Sequence, residues 1–248
     1  MTSNEGRFVM MSNPKRWLAR NAACVALAGC LSWLPATATA EQRASLDGTW
    51  KLAPAITRLV PVGGGALPFT KQGRADHKAN KASAAKGDFD FDQTRSACSS
   101  PGLPRLMVIP DRFRVFQRER AVTMVFEWNN LVRQVDLRAG PQVRPPVDSM
   151  IGSSQGHWEG DTLVAKTVGF LPGKLLDDEL PSSESLELLE RIHLKDKDTL
   201  EDLLTITDPV NFTRPWAALL TYARQADGPF PEDLCLDRKA EGRALLPH

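Results

Sequence analysis

Ala121-Val122-Thr123-Met124-Val125-Phe126-Glu127-Trp128 decides the fold. Val122, Met124, Phe126 and Trp128 share one parity; Ala121, Thr123, Val125 and Glu127 share the other. That is the period of a strand whose two faces meet different surroundings. The rhythm continues outward. Leu131, Val135 and Leu137 alternate with Val132, Gln134 and Asp136, and short apolar or alternating runs stand at 106–109, 113–117, 163–168, 186–194, 200–206 and 216–222. Turn residues separate them at Glu119-Arg120, Asn129-Asn130, Glu159-Gly160-Asp161 and Lys197-Asp198. Seven or eight strands with short connections predict a mainly all-β chain. The expected architecture is an antiparallel meander that removes its edges by forming a barrel or near-closed barrel.

The chain before this run is irregular. Leu46-Asp47-Gly48-Thr49-Trp50-Lys51-Leu52 reads as a short strand with a tryptophan to bury, and Pro54, Pro61, Gly63, Gly64, Gly65 and Pro68 then forbid long elements. Residues 70–85, rich in Lys and Ala, predict one largely solvated helix with Thr70 as N-cap and Gly87 as stop. The resulting division is an irregular region over 41–104, a barrel-like domain over 105–238 and a flexible tail over 239–248.

Residues 1–40 read as an export signal. Lys15, Arg16 and Arg20 supply the positive start, Asn21 to Leu34 is mostly apolar and too short to span a bilayer, and Ala38-Thr39-Ala40 is a small-x-small cleavage site. The implied address is periplasmic or secreted. Leu27-Ala28-Gly29-Cys30 also matches the tetrapeptide that precedes lipid attachment, so a membrane-anchored lipoprotein modified at Cys30 is the alternative. Cleavage leaves about 208 residues, enough for one well-packed domain, with no apolar transmembrane segment in the mature chain. A net charge of +1 offers no overall field for nucleic acid or anionic lipid. Two mature cysteines, Cys98 and Cys235, predict one disulfide in an oxidising compartment. His77, His157, His193 and His248 show no metal-ligand spacing, and Gly63-Gly64-Gly65 lacks the strand-to-helix context of a phosphate loop, so no metal or cofactor is expected.

Period-two alternation singles out three charges. Arg133 is the odd member of the inward set Leu131, Arg133, Val135, Leu137. Glu190 interrupts Leu186, Leu188, Ile192 and Leu194, and Asp202 interrupts Leu200, Leu204 and Ile206. An ionised group in a barrel is costly unless paired, and Arg133 has the fork to hold Glu190 or Asp202. Two readings follow: a structural ion pair, or the polar floor of a ligand cavity whose second carboxyl has a raised pKa suited to acid–base work. Gly156-His157-Trp158-Glu159-Gly160-Asp161-Thr162-Leu163-Val164 is the densest local motif. Its acids belong to a tight hairpin turn, with Gly160 supplying positive φ. His157, just before the turn, has a pKa suited to proton transfer near neutrality. Asp208, before Pro209, is expected to cap the loop that follows.

Taken in order, Pro101-Gly102-Leu103-Pro104-Arg105, the 156–164 motif, Glu190-Arg191, Asp208-Pro209 and Pro215-Trp216 resemble a family of exported bacterial proteins generally labelled hypothetical. The resemblance runs from about Leu46 to Cys235 and implies an exported β-rich protein with no assigned activity. Two positions depart from it: Ser182-Ser183 stands where the family has a His-Ser pair, and Lys166 where it has an acidic residue. Gly48-Thr49-Trp50 gives a looser similarity to lipocalin-type barrels. The expected function is binding of a small apolar or aromatic molecule in a barrel pocket walled by Met124, Phe126 and Trp128, with Asp202 at its floor. The alternative is a cofactor-independent lyase, isomerase or hydrolase using His157 or Glu190 for proton transfer, with Arg133 holding an anionic group. A structural envelope protein needs no pocket at all.

Overall fold

Nine strands close a barrel in chain order: β1 (Gly48–Leu52), β2 (Arg112–Gln117), β3 (Ala121–Phe126), β4 (Val132–Asp136), β5 (Ser153–Glu159), β6 (Thr162–Val168), β7 (Glu187–Asp196), β8 (Thr199–Thr207) and β9 (Trp216–Gln225). The computed structural model describes residues 44–140 and 145–246. The export signal over 1–40 and the anchor site at Cys30 therefore lie outside the described residues. Gln42–His248 forms one compact unit.

The closed, mainly antiparallel barrel is as expected, and the strand count adds one parallel seam to it. Nine strands cannot alternate direction around a closed ring, because an odd ring leaves two like-directed neighbours. β4 and β5 are those neighbours: they pair in parallel, while every other adjacent pair, β1 with β9 included, is antiparallel. The barrel also begins earlier than Arg105. β1, from the stretch read as irregular, pairs with both β2 and β9 and so closes the ring, with Trp50 fully buried.

Tight turns at 118–120, 160–161 and 197–198 close one end. The long connections gather at the other, carrying α1 (Lys71–Ala84), α2 (Gln93–Ala97) and α3 (Arg105–Val108); α4 (Cys235–Ala240) follows β9. Thr70 caps α1 as expected, its hydroxyl accepting from Gly73 N at 3.0 Å. Residues 106–109, read as a strand, are instead the helical turn α3 and the residue after it. Leu106 N donates to the Gly102 carbonyl, and every residue of α3 is at most 4% exposed. An apolar run this short, buried on all sides and bracketed by Pro104 and Pro110, carries no period that separates helix from strand. α3 fills the barrel mouth, where the Met107 carbonyl accepts the Tyr222 hydroxyl at 3.1 Å.

Charges pin this plug. Arg105 donates to both carboxylate oxygens of Asp92 (2.7 and 2.6 Å) and to Asp178 (3.0 Å), and Arg95 reaches the same Asp178 at 2.8 Å. The group joins α2, α3 and the 169–186 connection with two cations and two anions, which is the condition for keeping charge inside. Asp208 caps its loop, accepting from Ser183 N, the Ser183 hydroxyl and Asn211 Nδ2. Cys98, after α2, and Cys235, which opens α4, are disulfide-bonded with Cα atoms 5.7 Å apart. The tail read as flexible from residue 239 is partly docked: α4 runs to Ala240, Leu246 is 4% exposed, and the Trp128 indole donates to the Leu245 carbonyl at 3.4 Å.

Candidate functional site

The three charges singled out by alternation do converge inside the barrel. Arg133 on β4, Glu190 on β7 and Asp202 on β8 are each at most 1% exposed. Arg133 Nη1 donates to Glu190 Oε1 at 2.7 Å and Nη2 to Oε2, a bidentate pair. Its remaining donors reach Ser154 Oγ (3.3 Å) and Thr167 Oγ1 (3.2 Å), which also bond each other at 2.8 Å. The guanidinium is thus satisfied from three strands, β5, β6 and β7. Asp202 is not: neither of its buried oxygens has a hydrogen-bond partner. Burial first, then the negative charge of Glu190, hold its carboxyl well above the ordinary carboxylate range against the pull of Arg133. One cation facing one anion leaves no counter-charge for a second, so the layer is neutral only with a proton on Asp202. Burial and then the charges of Asp202 and Glu190 push the Tyr222 phenol up as well.

Met124, Phe126 and Trp128 are core residues at 0, 3 and 1% exposure. Phe126 stacks on Phe113 with centroids 5.4 Å apart, and Phe113 meets Tyr222 edge-on at 5.0 Å. At the level of these side chains the lumen is packed with protein.

His157 does not join them. Ser154 faces inward from β5, so His157, three residues on, faces out; its side chain is 64% exposed. Its Nε2 lies 3.2 Å from Glu159 Oε1, and Glu159 also accepts from Arg191 at 2.8 Å. Arg191 first, then His157, hold the Glu159 carboxyl below its ordinary range. The structure therefore separates the expected catalytic set: Arg133 and Glu190 are sealed inside the wall and His157 stands outside it.

His157 lines a cleft on the outer wall. β4 pairs with β5 at only two positions, Val135↔Ser154 and Asp136↔Gln155, before the chain leaves the sheet. Where it leaves, a cleft of about 460 Å³ is lined by Leu137, Gly156, His157, Val164, Lys166 and Leu189, among others. Cross-strand pairing of Gln155 with Lys166, His157 with Val164, and Lys166 with Leu189 brings these side chains together. Val164 is 6% exposed although it faces outward, and Leu189 is 40% exposed. A second cleft of about 250 Å³, along Glu184–Glu187, shares Lys166. The Lys166 ammonium pairs with Glu187 at 2.8 Å with both side chains nearly half exposed, and such a pair is weak enough to exchange partners.

Sequence reasoning missed Ser154, Thr167 and Tyr222 in the interior layer. Carrying the two-residue period onto β5, β6 and β9 finds all three. Lys166 and Leu189 gave no signal, since outward residues of a strand look like ordinary surface.

Among the described residues no group of three or more His, Cys, Asp or Glu side chains could hold a metal ion, and no helix is long and apolar enough to cross a membrane. No protein-family model matches the chain and no curated protein matches it, so neither supports the family resemblance carried by the motifs. Among solved structures, a "secretary abundant heat soluble (SAHS) protein" from Ramazzottius varieornatus is similar with a TM-score of 0.34 and 9% identity, over 73% of this chain and 95% of that chain.

Proposed function

We propose that this is an exported binding protein for a small apolar or aromatic molecule, held by the barrel in the outer-wall cleft beside the β4–β5 junction. One observation carries the reading: Leu137, Val164 and Leu189 collect in a single cleft of about 460 Å³, within the range that small ligands occupy. Polar groups at its margin, His157 and Lys166, supply orientation. The packed interior layer serves as scaffold. Arg133 bonds to β5, β6 and β7, the strands that carry most of the cleft wall, and so fixes their spacing.

A second reading rests on His157. It is the cleft-lining side chain whose ordinary pKa lies near neutrality, and Glu159 orients its ring. A lyase, isomerase or hydrolase acting by proton transfer would use it as acid or base, without help from Glu190.

The test is fluorescence titration with the neutral aromatic probe N-phenyl-1-naphthylamine. Saturable binding is expected, weakened roughly tenfold or more by Leu189→Glu, which sets a charge on the apolar wall, and left unchanged by Glu190→Gln in protein that circular dichroism shows to be folded. Absence of saturable binding, or binding indifferent to Leu189→Glu, overturns the proposal.

A further inference from the structure

The overall charge of +1 conceals a local segregation on α1. Lys71, Arg74, Lys78 and Lys81 follow one another at spacings of three and four residues, which places them within an arc of roughly 80° along about 15 Å of helix. All four are exposed, as is Lys86 just beyond the helix. None of the five has an ion-pair partner among the described residues. Several exposed cations elsewhere on the surface are instead paired. Arg138 is paired with Asp136, Lys166 with Glu187, Arg191 with Glu159, Lys195 with Glu201 and Arg243 with Asp233. The single acid of the helix, Asp76, is occupied by the Gln72 amide at 2.8 and 2.9 Å.

The helix is also held rigidly at its inner side. Gly73 sits against the backbone of Asn211, Thr70 N donates to the Asn211 carbonyl at 2.9 Å, and Phe69 stacks on both His77 and Phe212. Arg74 lies over the Phe69 ring, 5.6 Å from its centre. The basic row therefore projects from a fixed platform. Beside it the exposed helix surface carries the small side chains of Ala75, Ala79 and Ala82, which leave the row open to a flat partner.

We infer that α1 is a docking surface for an anionic phospholipid membrane, lying along the headgroups through Lys71, Arg74, Lys78 and Lys81. A row of flexible cations without ion-pair partners matches a plane of phosphates, and each contributes attraction that salt screens. A nucleic acid fits less well: the nearby ring of Phe69 is already packed against His77, Phe212 and Arg74, and so is committed to the fold rather than to a base. The attraction is electrostatic and reversible, and it inserts no segment into the membrane.

Co-sedimentation of the full chain with phosphatidylglycerol–phosphatidylcholine vesicles tests this. Binding is expected at low salt, is lost at high salt, and is absent with phosphatidylcholine alone. Lys78→Gln and Lys81→Gln each lower the partition about fivefold, and Lys78→Glu with Lys81→Glu abolishes it, while uptake of N-phenyl-1-naphthylamine stays the same. Equal binding by the charge-reversed protein overturns the inference. So does binding that resists salt, or capture by duplex DNA or dextran sulfate without vesicle binding.

Discussion

Arg133 and Glu190, 57 positions apart in the chain, meet inside the barrel through two parallel hydrogen bonds, and Asp202 faces the same guanidinium charge without a bond to it. The asymmetry gives the three residues unequal weight. Arg133→Met leaves two acids without a cation and is expected to destabilise by about 3–5 kcal/mol. Glu190→Gln leaves Asp202 to ionise as the replacement anion and costs less. Arg133→Met combined with Glu190→Leu removes both charges and falls below Arg133→Met alone. Urea unfolding of the three variants measures the order.

The raised carboxyl of Asp202 makes stability depend on pH in a definite direction. A carboxyl whose native pKa lies above its unfolded value binds more protons in the folded state, so stability falls as pH rises. The fall begins near the ordinary carboxylate pKa of about 3.9 and continues to the raised native value, with a slope of about 1.4 kcal/mol per pH unit for one proton. Asp202→Asn is expected to flatten it and to leave the protein more stable at neutral and alkaline pH. Urea midpoints of wild type and Asp202→Asn across pH check the sign; a wild-type midpoint that climbs through this window relative to the variant's contradicts a protonated Asp202.

The Cys98–Cys235 bond closes a loop across a separation of 137 residues. In the chain-entropy account its removal costs roughly 4–5 kcal/mol. Cys98→Ser with Cys235→Ser is expected to lower the thermal midpoint and to raise amide exchange from Cys235 to Leu246 ahead of the strands, since α4 then keeps few ties to the barrel. Uniform loss of protection across the sheet would show that the bond holds the whole fold instead.

Gly73 reverses a familiar substitution rule. Gly→Ala inside a helix ordinarily stabilises by about 0.5–1 kcal/mol. Here a Cβ would stand 2.3 Å from the Asn211 carbonyl oxygen and 2.8 Å from its Cα, so backbone must shift. Gly73→Ala is expected to destabilise by about 1–3 kcal/mol, while Ala79→Gly, on the exposed side of α1, costs no more than about 1 kcal/mol. Chemical denaturation separates the two.

The barrel was legible wherever a strand had two different faces. Val122, Met124 and Phe126 announced their parity, and the same parity exposed Arg133, Glu190 and Asp202 as charges among apolar neighbours. β5 was not legible, because Ser153-Ser154-Gln155-Gly156-His157 is polar on both parities; its hairpin to β6 and the Arg133 contact to Ser154 hold it in the sheet. α3 was misread because full burial erases periodicity. The network of Asp92, Arg95, Arg105 and Asp178 joins loops remote in sequence, so no local pattern contains it. Net charge misled in a different way. The sum over the chain averages away the row on α1, whose spacing was visible in the helix once three- and four-residue steps were counted. The outer cleft depends on where the chain peels off after Asp136, a geometric event without a residue signature.

The odd number of staves bears on how such a barrel can change by descent. Losing any one strand leaves eight, a number that closes by alternation alone, and the parallel seam with its long return would then obstruct closure. Gain or loss of a hairpin preserves parity and keeps the seam. Variation among relatives of this fold is therefore expected in units of two, with the seam and the outer cleft beside it inherited as one piece.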